Sequence, residues 1–190
     1  MGQSELPFDS KLYGSRVARI LALDRDGNRL IPLVSGGPPP KEAHAALSKQ
    51  KPSDLFPAAP APQAALAGLW VYFSCFDQGH KIAQDIETPE GSFWHAILHR
   101  QEPDPGNAAY WFRQAGPHPL FADLVNSAAR IAARYPEAGF RVDDRWDPFA
   151  FIDFCEQARR MQGTPAERAA LEIQRAEWQL LFDYCARSRS

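Results

Sequence analysis

The chain has 190 residues, of which 45% are hydrophobic and 12% aromatic, a composition that predicts a globular protein and excludes a disordered one. The formal net charge of -2 argues against nucleic acid as a partner, because phosphate binding requires a basic face. No run of about 18 apolar residues is present, so the sequence predicts no membrane partner.

Residues 1–34 are predicted to form an N-terminal arm, either a β-hairpin or an extended segment. The apolar runs 17–23 and 29–34 flank residues 24–28, which include an Asp-Gly pair typical of a turn between two strands. A short helix over residues 15–23 is the alternative interpretation of the same stretch.

Residues 35–62 are rich in proline and alanine and are predicted to be a linker or a surface wrap. Within this segment, residues 41–50 are compatible with one short helix. Little apolar surface is available here to offset the loss of chain entropy on ordering.

Residues 63–190 are predicted to form a single helical domain. Four pairs place a capping residue before a proline, which favours a helix start at each: Thr88-Pro89, Asp104-Pro105, Asp147-Pro148 and Thr164-Pro165. Thr164 is followed three residues later by Glu167, the spacing of a capping box. The predicted helices span residues 63–86, 89–102, 105–115, 119–135, 148–162 and 165–187. The fold class is therefore mainly α, with about six helices in an orthogonal or bundle-like arrangement.

Two histidines and a carboxylate share one face of the second predicted helix. His95, His99 and Glu102 have the spacing i, i+4 and i+7. The short break at residues 87–89 makes the preceding helix an antiparallel neighbour, which brings His80 level with His95 and Asp77 close to the level of His99. If the two faces meet, three histidines and up to two carboxylates converge in one crevice.

Such a set of ligands suits a divalent metal, with zinc or iron favoured by three imidazole nitrogens. In this interpretation His80, His95 and His99 bind the metal, and Glu102 or Asp77 is a fourth ligand or a catalytic base. Ala96 stands where a metallopeptidase of the HExxH type has its general base, which excludes that class. The alternative is that the same residues form a buried polar network without metal.

A second polar and aromatic group follows directly along the chain. An arginine beside a tyrosine and an aromatic wall is a common way to hold a carboxylate or a phosphate. The candidate substrate-binding residues are Arg100, Asn107, Tyr110, Trp111 and Arg113. A structural network in which the arginines pair with nearby carboxylates remains the alternative.

The block FWHAILHRQEPDPGNAAYWFRQAGPHPLF resembles one found in a family of uncharacterised bacterial proteins. The resemblance covers roughly residues 64–125 and implies no established activity. It leaves the interpretation of the residues unchanged.

Two classes of function follow from these patterns. The first is a metal-dependent enzyme that acts on a small anionic substrate in the crevice between two helices. The second is a non-catalytic helical module that binds a small ligand or a protein partner. The odd number of cysteines (Cys75, Cys155 and Cys185), all in apolar stretches, predicts reduced thiols and a cytoplasmic location.

Overall fold

The computed structural model describes residues 8–188, which form a single domain of ten α-helices without a strand in that range. The predicted single helical domain is confirmed, whereas the predicted number of about six helices is wrong. The helices are α1 (Ser15–Leu21), α2 (Lys41–Leu47), α3 (Pro52–Leu55), α4 (Pro62–Tyr72), α5 (Phe76–Ala83), α6 (Pro89–Gln101), α7 (Pro105–Ala115), α8 (Phe121–Arg134), α9 (Pro148–Ala158) and α10 (Pro165–Ala186).

The long C-terminal helix α10 lies at the centre of the core and packs against α4, α8 and α9. Trp178 and Phe182, one turn apart on its buried face, stack with ring centroids 4.9 Å apart. The indole N–H of Trp178 donates to the carbonyl of Gly68 in α4 at 2.8 Å, which satisfies both groups away from water. Across the described part of the chain, every helix is too short or too polar to cross a membrane.

The starts of four helices follow directly from the local sequence. The side chains of Asp104, Asp147 and Thr164 each accept a hydrogen bond from a free backbone N–H of the first turn. The carboxylate of Glu167 completes the cap of α10 by accepting from the backbone N–H of Gly163 at 2.6 Å. Helix α6 also begins at its proline, although Thr88 makes no side-chain capping bond.

The predicted β-hairpin is wrong, because its first half is helix α1. Val17, Ile20 and Leu21 are buried at a spacing of i, i+3 and i+4, which places them on one side of a helix. The second half is an extended segment whose carbonyls face side chains of the helical core instead of a partner strand. Gln101 donates to the carbonyl of Pro32 at 2.9 Å. Residues 1–7 of the predicted arm lie outside the described residues.

The segment predicted as a linker or wrap contributes to the core. It contains α2 and α3, and it buries Leu47, Leu55 and Phe56. At its end, the backbone N–H of Ala61 donates to the carbonyl of Cys185 in α10 at 3.2 Å. The segment is therefore anchored to the C-terminal helix immediately before α4 begins.

The continuous helix predicted for residues 63–86 is interrupted at residues 73–75, between α4 and α5. Arg29 explains the break, because its guanidinium donates to the carbonyl of Tyr72 at 2.7 Å and to the Ser74 hydroxyl at 3.1 Å. These bonds satisfy a carbonyl that a longer helix would have used internally. The backbone then reverses at Ser74, where φ is 56°, and α5 starts in a new direction.

Two glycines allow the close packing that α5 and α6 require. A Cβ atom on Gly79 would lie 3.2 Å from the Leu98 side chain of α6. A Cβ atom on Gly91 would lie only 2.3 Å from the carbonyl oxygen of Ile86, in the turn between the helices. The backbone of α6 can therefore begin at this position only because Gly91 has no side chain.

Gly91→Ala is expected to lower the free energy of unfolding by about 1–3 kcal/mol, since the added methyl group must displace backbone atoms. Gly106→Ala is the matched control, because a Cβ atom at this exposed position in α7 meets nothing closer than 3.7 Å. The control should be neutral or stabilising by up to about 1 kcal/mol through helix propensity. Urea denaturation measures both. Equal stability of Gly91→Ala and the wild type would contradict the packing argument.

Candidate metal centre

Helices α5 and α6 bring three histidines together. His80, His95 and His99 each offer a ring nitrogen, and these three atoms lie within 4.8 Å of one another. The ring centroids are separated by 5.0 Å (His80 to His95), 4.9 Å (His80 to His99) and 4.8 Å (His95 to His99). The convergence predicted from the antiparallel pairing of the two helices is confirmed.

One buried ring nitrogen of each histidine has no hydrogen-bond partner within the described residues. These atoms are Nε2 of His80, Nδ1 of His95 and Nδ1 of His99. Leaving a buried polar atom without a partner costs roughly 1–3 kcal/mol, so three such atoms in one cluster need an explanation. A shared cation would supply one partner for all three lone pairs.

Glu102 lies against two of the three histidines, at the end of α6. Its carboxylate oxygens are 3.0 Å from Nε2 of His80 and 3.5 Å from Nδ1 of His99. Both contacts lack the alignment of a hydrogen bond, since the same nitrogens have no hydrogen-bond partner. The Glu102 side chain is 37% exposed, which places it on the solvent side of the cluster.

Burial favours the neutral forms of His95 and His99 by lowering the pKa of each. The pKa of His95 is lowered from 6.5 to about 4, mainly by burial and further by the adjacent rings of His99 and His80. Burial also lowers the pKa of His99, and the nearby carboxylates of Glu102 and Asp104 oppose this shift. Neutral imidazole is the form that binds metals, so the lone pairs remain available at neutral pH.

Trp111 of α7 forms the wall beside His95. The two rings are stacked with centroids 4.0 Å apart and an angle of 26° between their planes. Tyr110 packs edge-on against Trp111 at 5.3 Å and is 49% exposed. An aromatic surface therefore adjoins the histidine cluster.

The other predicted site residues lie outside the cluster. Asp77 is exposed on the first turn of α5, and residues 8–188 show no ion pair between it and the histidines. Asn107 is held by Asp104, since its side chain donates to that carboxylate at 2.7 Å. The guanidinium of Arg113 lies 5.3 Å above the Phe149 ring, on the side of α7 that faces α9.

The structure places Arg100 in the core and not with the histidines. It is 1% exposed and pairs with Glu177 of α10, which is 0% exposed. A second guanidinium N–H donates to Gln174 at 3.3 Å, and the group lies 4.7 Å above the Phe151 ring. All of these partners come from α9 and α10. Arg100 therefore cannot reach a substrate beside His99, although it is the next residue in the chain.

Two features of the centre had only weak signals in the sequence. The sequence predicted Trp111 as a substrate contact. Its stacking on His95 depends on how α6 and α7 pack, and no local sequence pattern encodes that packing. Asp104 was predicted as a helix cap and as a possible partner of the nearby arginines, whereas its charge acts on His99. A capping carboxylate that follows an HxxxH pair by five residues is the signal that would have found it.

Comparisons of the chain with protein-family models, curated proteins and solved structures find no match. The resemblance of residues 64–125 to a bacterial family therefore stays a prediction. The geometry of the site and the chemistry of its residues are the basis for assigning a function.

Proposed function

We propose that the protein binds one divalent metal ion through His80, His95 and His99 and uses it to act on a small anionic substrate. The observation that carries this proposal is the cluster itself, in which each of the three histidines offers a ring nitrogen within 4.8 Å of the other two. One buried ring nitrogen of each histidine also makes no hydrogen bond within the described residues, although Glu102 lies close to those of His80 and His99. The packing of α5 on α6 brings the three side chains together.

The ligand chemistry favours zinc or iron(II). Imidazole nitrogen is a ligand of intermediate softness that suits both ions, whereas magnesium and calcium prefer oxygen. Three protein nitrogens leave coordination positions for water or substrate, as in catalytic sites. When bound, the ion would act as a Lewis acid toward a substrate oxygen.

The charge balance favours an anionic substrate. Three neutral imidazoles leave the charge of a divalent ion uncompensated, and Glu102 removes only one unit of it. A carboxylate or phosphate oxygen would complete the balance. Glu102 is close enough to the cluster to be a fourth ligand or a base, and its exposure lets it exchange protons with solvent. The Trp111 ring would limit the size of the substrate on the side of the site where it stacks on His95.

Metal binding is tested on protein purified without an affinity tag and stripped with a chelator. Calorimetric titration with Zn²⁺, and with Fe²⁺ under anaerobic conditions, should show one ion per chain for at least one of the metals. At a free metal concentration of 100 times Kd, the folded state should gain about 2.7 kcal/mol, seen as a raised melting temperature. Substrate binding is tested on the Co²⁺ form, whose visible absorption should change when acetate or phosphate is added.

A melting temperature unmoved by zinc, iron, manganese and copper would contradict the metal proposal. The second class of function would then be favoured, in which the same residues form the polar network of a non-catalytic binding module. If the protein binds metal but its Co²⁺ spectrum does not respond to acetate or phosphate, the metal site stands and the proposal of an anionic substrate is wrong.

A further inference from the structure

A cavity of about 640 Å³ lies between α7, α8 and the start of α9, and none of its lining residues belongs to the histidine cluster. Its volume is in the range of pockets that hold small organic molecules. Four aromatic side chains line it: Phe112, Phe121, Trp146 and Phe149. A planar apolar group would fit such a wall by stacking.

A buried donor without a partner lines this cavity. Trp146 is 6% exposed, and its indole N–H has no acceptor in the described part of the chain. Buried tryptophans normally give this N–H to a carbonyl, as Trp178 does to Gly68. At a cavity wall, such a donor is available to an acceptor atom of a bound molecule.

The charges at the cavity are mainly positive. Arg113 and Arg145 line it with one carboxylate, Asp144. Within residues 8–188 neither arginine forms an ion pair, and Arg113 is held over the Phe149 ring at 5.3 Å. Two unpaired guanidinium groups beside one carboxylate favour an anion, and their planar donor pairs match a carboxylate.

We infer that this cavity binds a small aromatic carboxylic acid. The ring of the ligand stacks among Phe112, Phe121 and Phe149, and its carboxylate accepts from Arg113, Arg145 and the indole N–H of Trp146. The site is separate from the metal centre. Phe93 contacts Phe112 at 5.1 Å on the cavity side of α6, whereas His95, two residues later, points to the opposite side of that helix.

The test uses three probes of one shape: 2-naphthoate, 2-naphthylmethylamine and 2-naphthalenemethanol, titrated calorimetrically into the full chain. We expect the acid to bind at least about 10-fold more tightly than the amine and the alcohol, in line with hydrogen bonds to charged groups. Arg113→Gln and Arg145→Gln, both at exposed positions, should each weaken naphthoate binding about 10-fold. Trp146→Phe keeps a ring in the wall and should weaken it about fivefold.

Three matched variants serve as controls. Trp94→Phe also removes a buried indole N–H without a partner, but Trp94 does not line the cavity, so binding should be unchanged. Arg160→Gln removes an exposed arginine elsewhere and should also have no effect. His99→Ala distinguishes binding at the cavity from binding at the metal centre. Naphthoate binding at the cavity should be unchanged in this variant, whether or not the protein binds metal.

The inference is overturned by any of four results. The first is the absence of naphthoate binding, and the second is amine binding as tight as that of the acid. The third is naphthoate binding that Arg113→Gln and Arg145→Gln leave unchanged. The fourth is loss of naphthoate binding in His99→Ala, which would place the carboxylate on the metal.

Discussion

His95→Ala is expected to lower metal affinity by at least about 10-fold. Losing a residue that only supports a metal ligand typically costs about 10- to 100-fold, and losing the ligand itself should cost no less. His95 is the most buried of the three histidines, so solvent cannot replace its nitrogen without opening the contact with Trp111. His80→Ala and His99→Ala should show the same loss. Elemental analysis and calorimetric titration measure the effect, and circular dichroism should show nearly unchanged helix content.

His44→Ala is the control for this series, since His44 lies in α2 outside the cluster. It should retain the metal affinity of the wild type. If the three cluster variants bind as much metal as the wild type, the cluster is not the binding site. If only one of them loses metal, the ion is held by a different set of ligands.

Glu177→Leu is expected to lower the free energy of unfolding by about 3–5 kcal/mol, because it leaves the buried guanidinium of Arg100 without its counter-charge. The pair is almost completely enclosed, at 1% and 0% exposed, so water cannot take the place of the carboxylate. One hydrogen bond to Gln174 would remain for the cation. Chemical denaturation at neutral pH measures the loss.

The double variant Arg100→Met/Glu177→Leu separates the missing charge from the lost volume. Replacing both members of a buried ion pair with apolar residues is often neutral or stabilising, so the double variant should recover most of the stability. Arg187→Gln breaks a half-exposed pair with Asp183 at 3.6 Å and should cost at most about 1 kcal/mol. A double variant as unstable as Glu177→Leu alone would show that Arg100 is not the reason for the loss.

The local sequence determined where α7, α9 and α10 begin. At each start, an Asp or Thr side chain bonds to the backbone within three residues, and the proline that follows needs no hydrogen-bond donor. These interactions involve only neighbouring residues, so they act in the same way in any fold.

The histidine cluster was also predictable, because it depends on two local facts. His95 and His99 are one turn apart on α6, and a short break makes α5 its antiparallel neighbour. Counting residues outward from the turn between the two helices places His80 at the same height as His95. The contact between the two faces follows from Gly79 and Gly91, whose missing side chains let α6 approach α5 and its turn.

The tertiary structure alone decided the remaining features. Helix α4 ends at Tyr72 because Arg29, 43 residues earlier in the chain, donates to its last carbonyl. Residues 15–21 are helical because a helix places three apolar side chains in the core together. The Asp-Gly turn that follows them is compatible with either a helix or a strand before it. Arg100 pairs with a carboxylate 77 residues away, although several acidic residues lie closer in sequence. In each case the deciding partner is distant along the chain, so its effect exists only after the helices have packed.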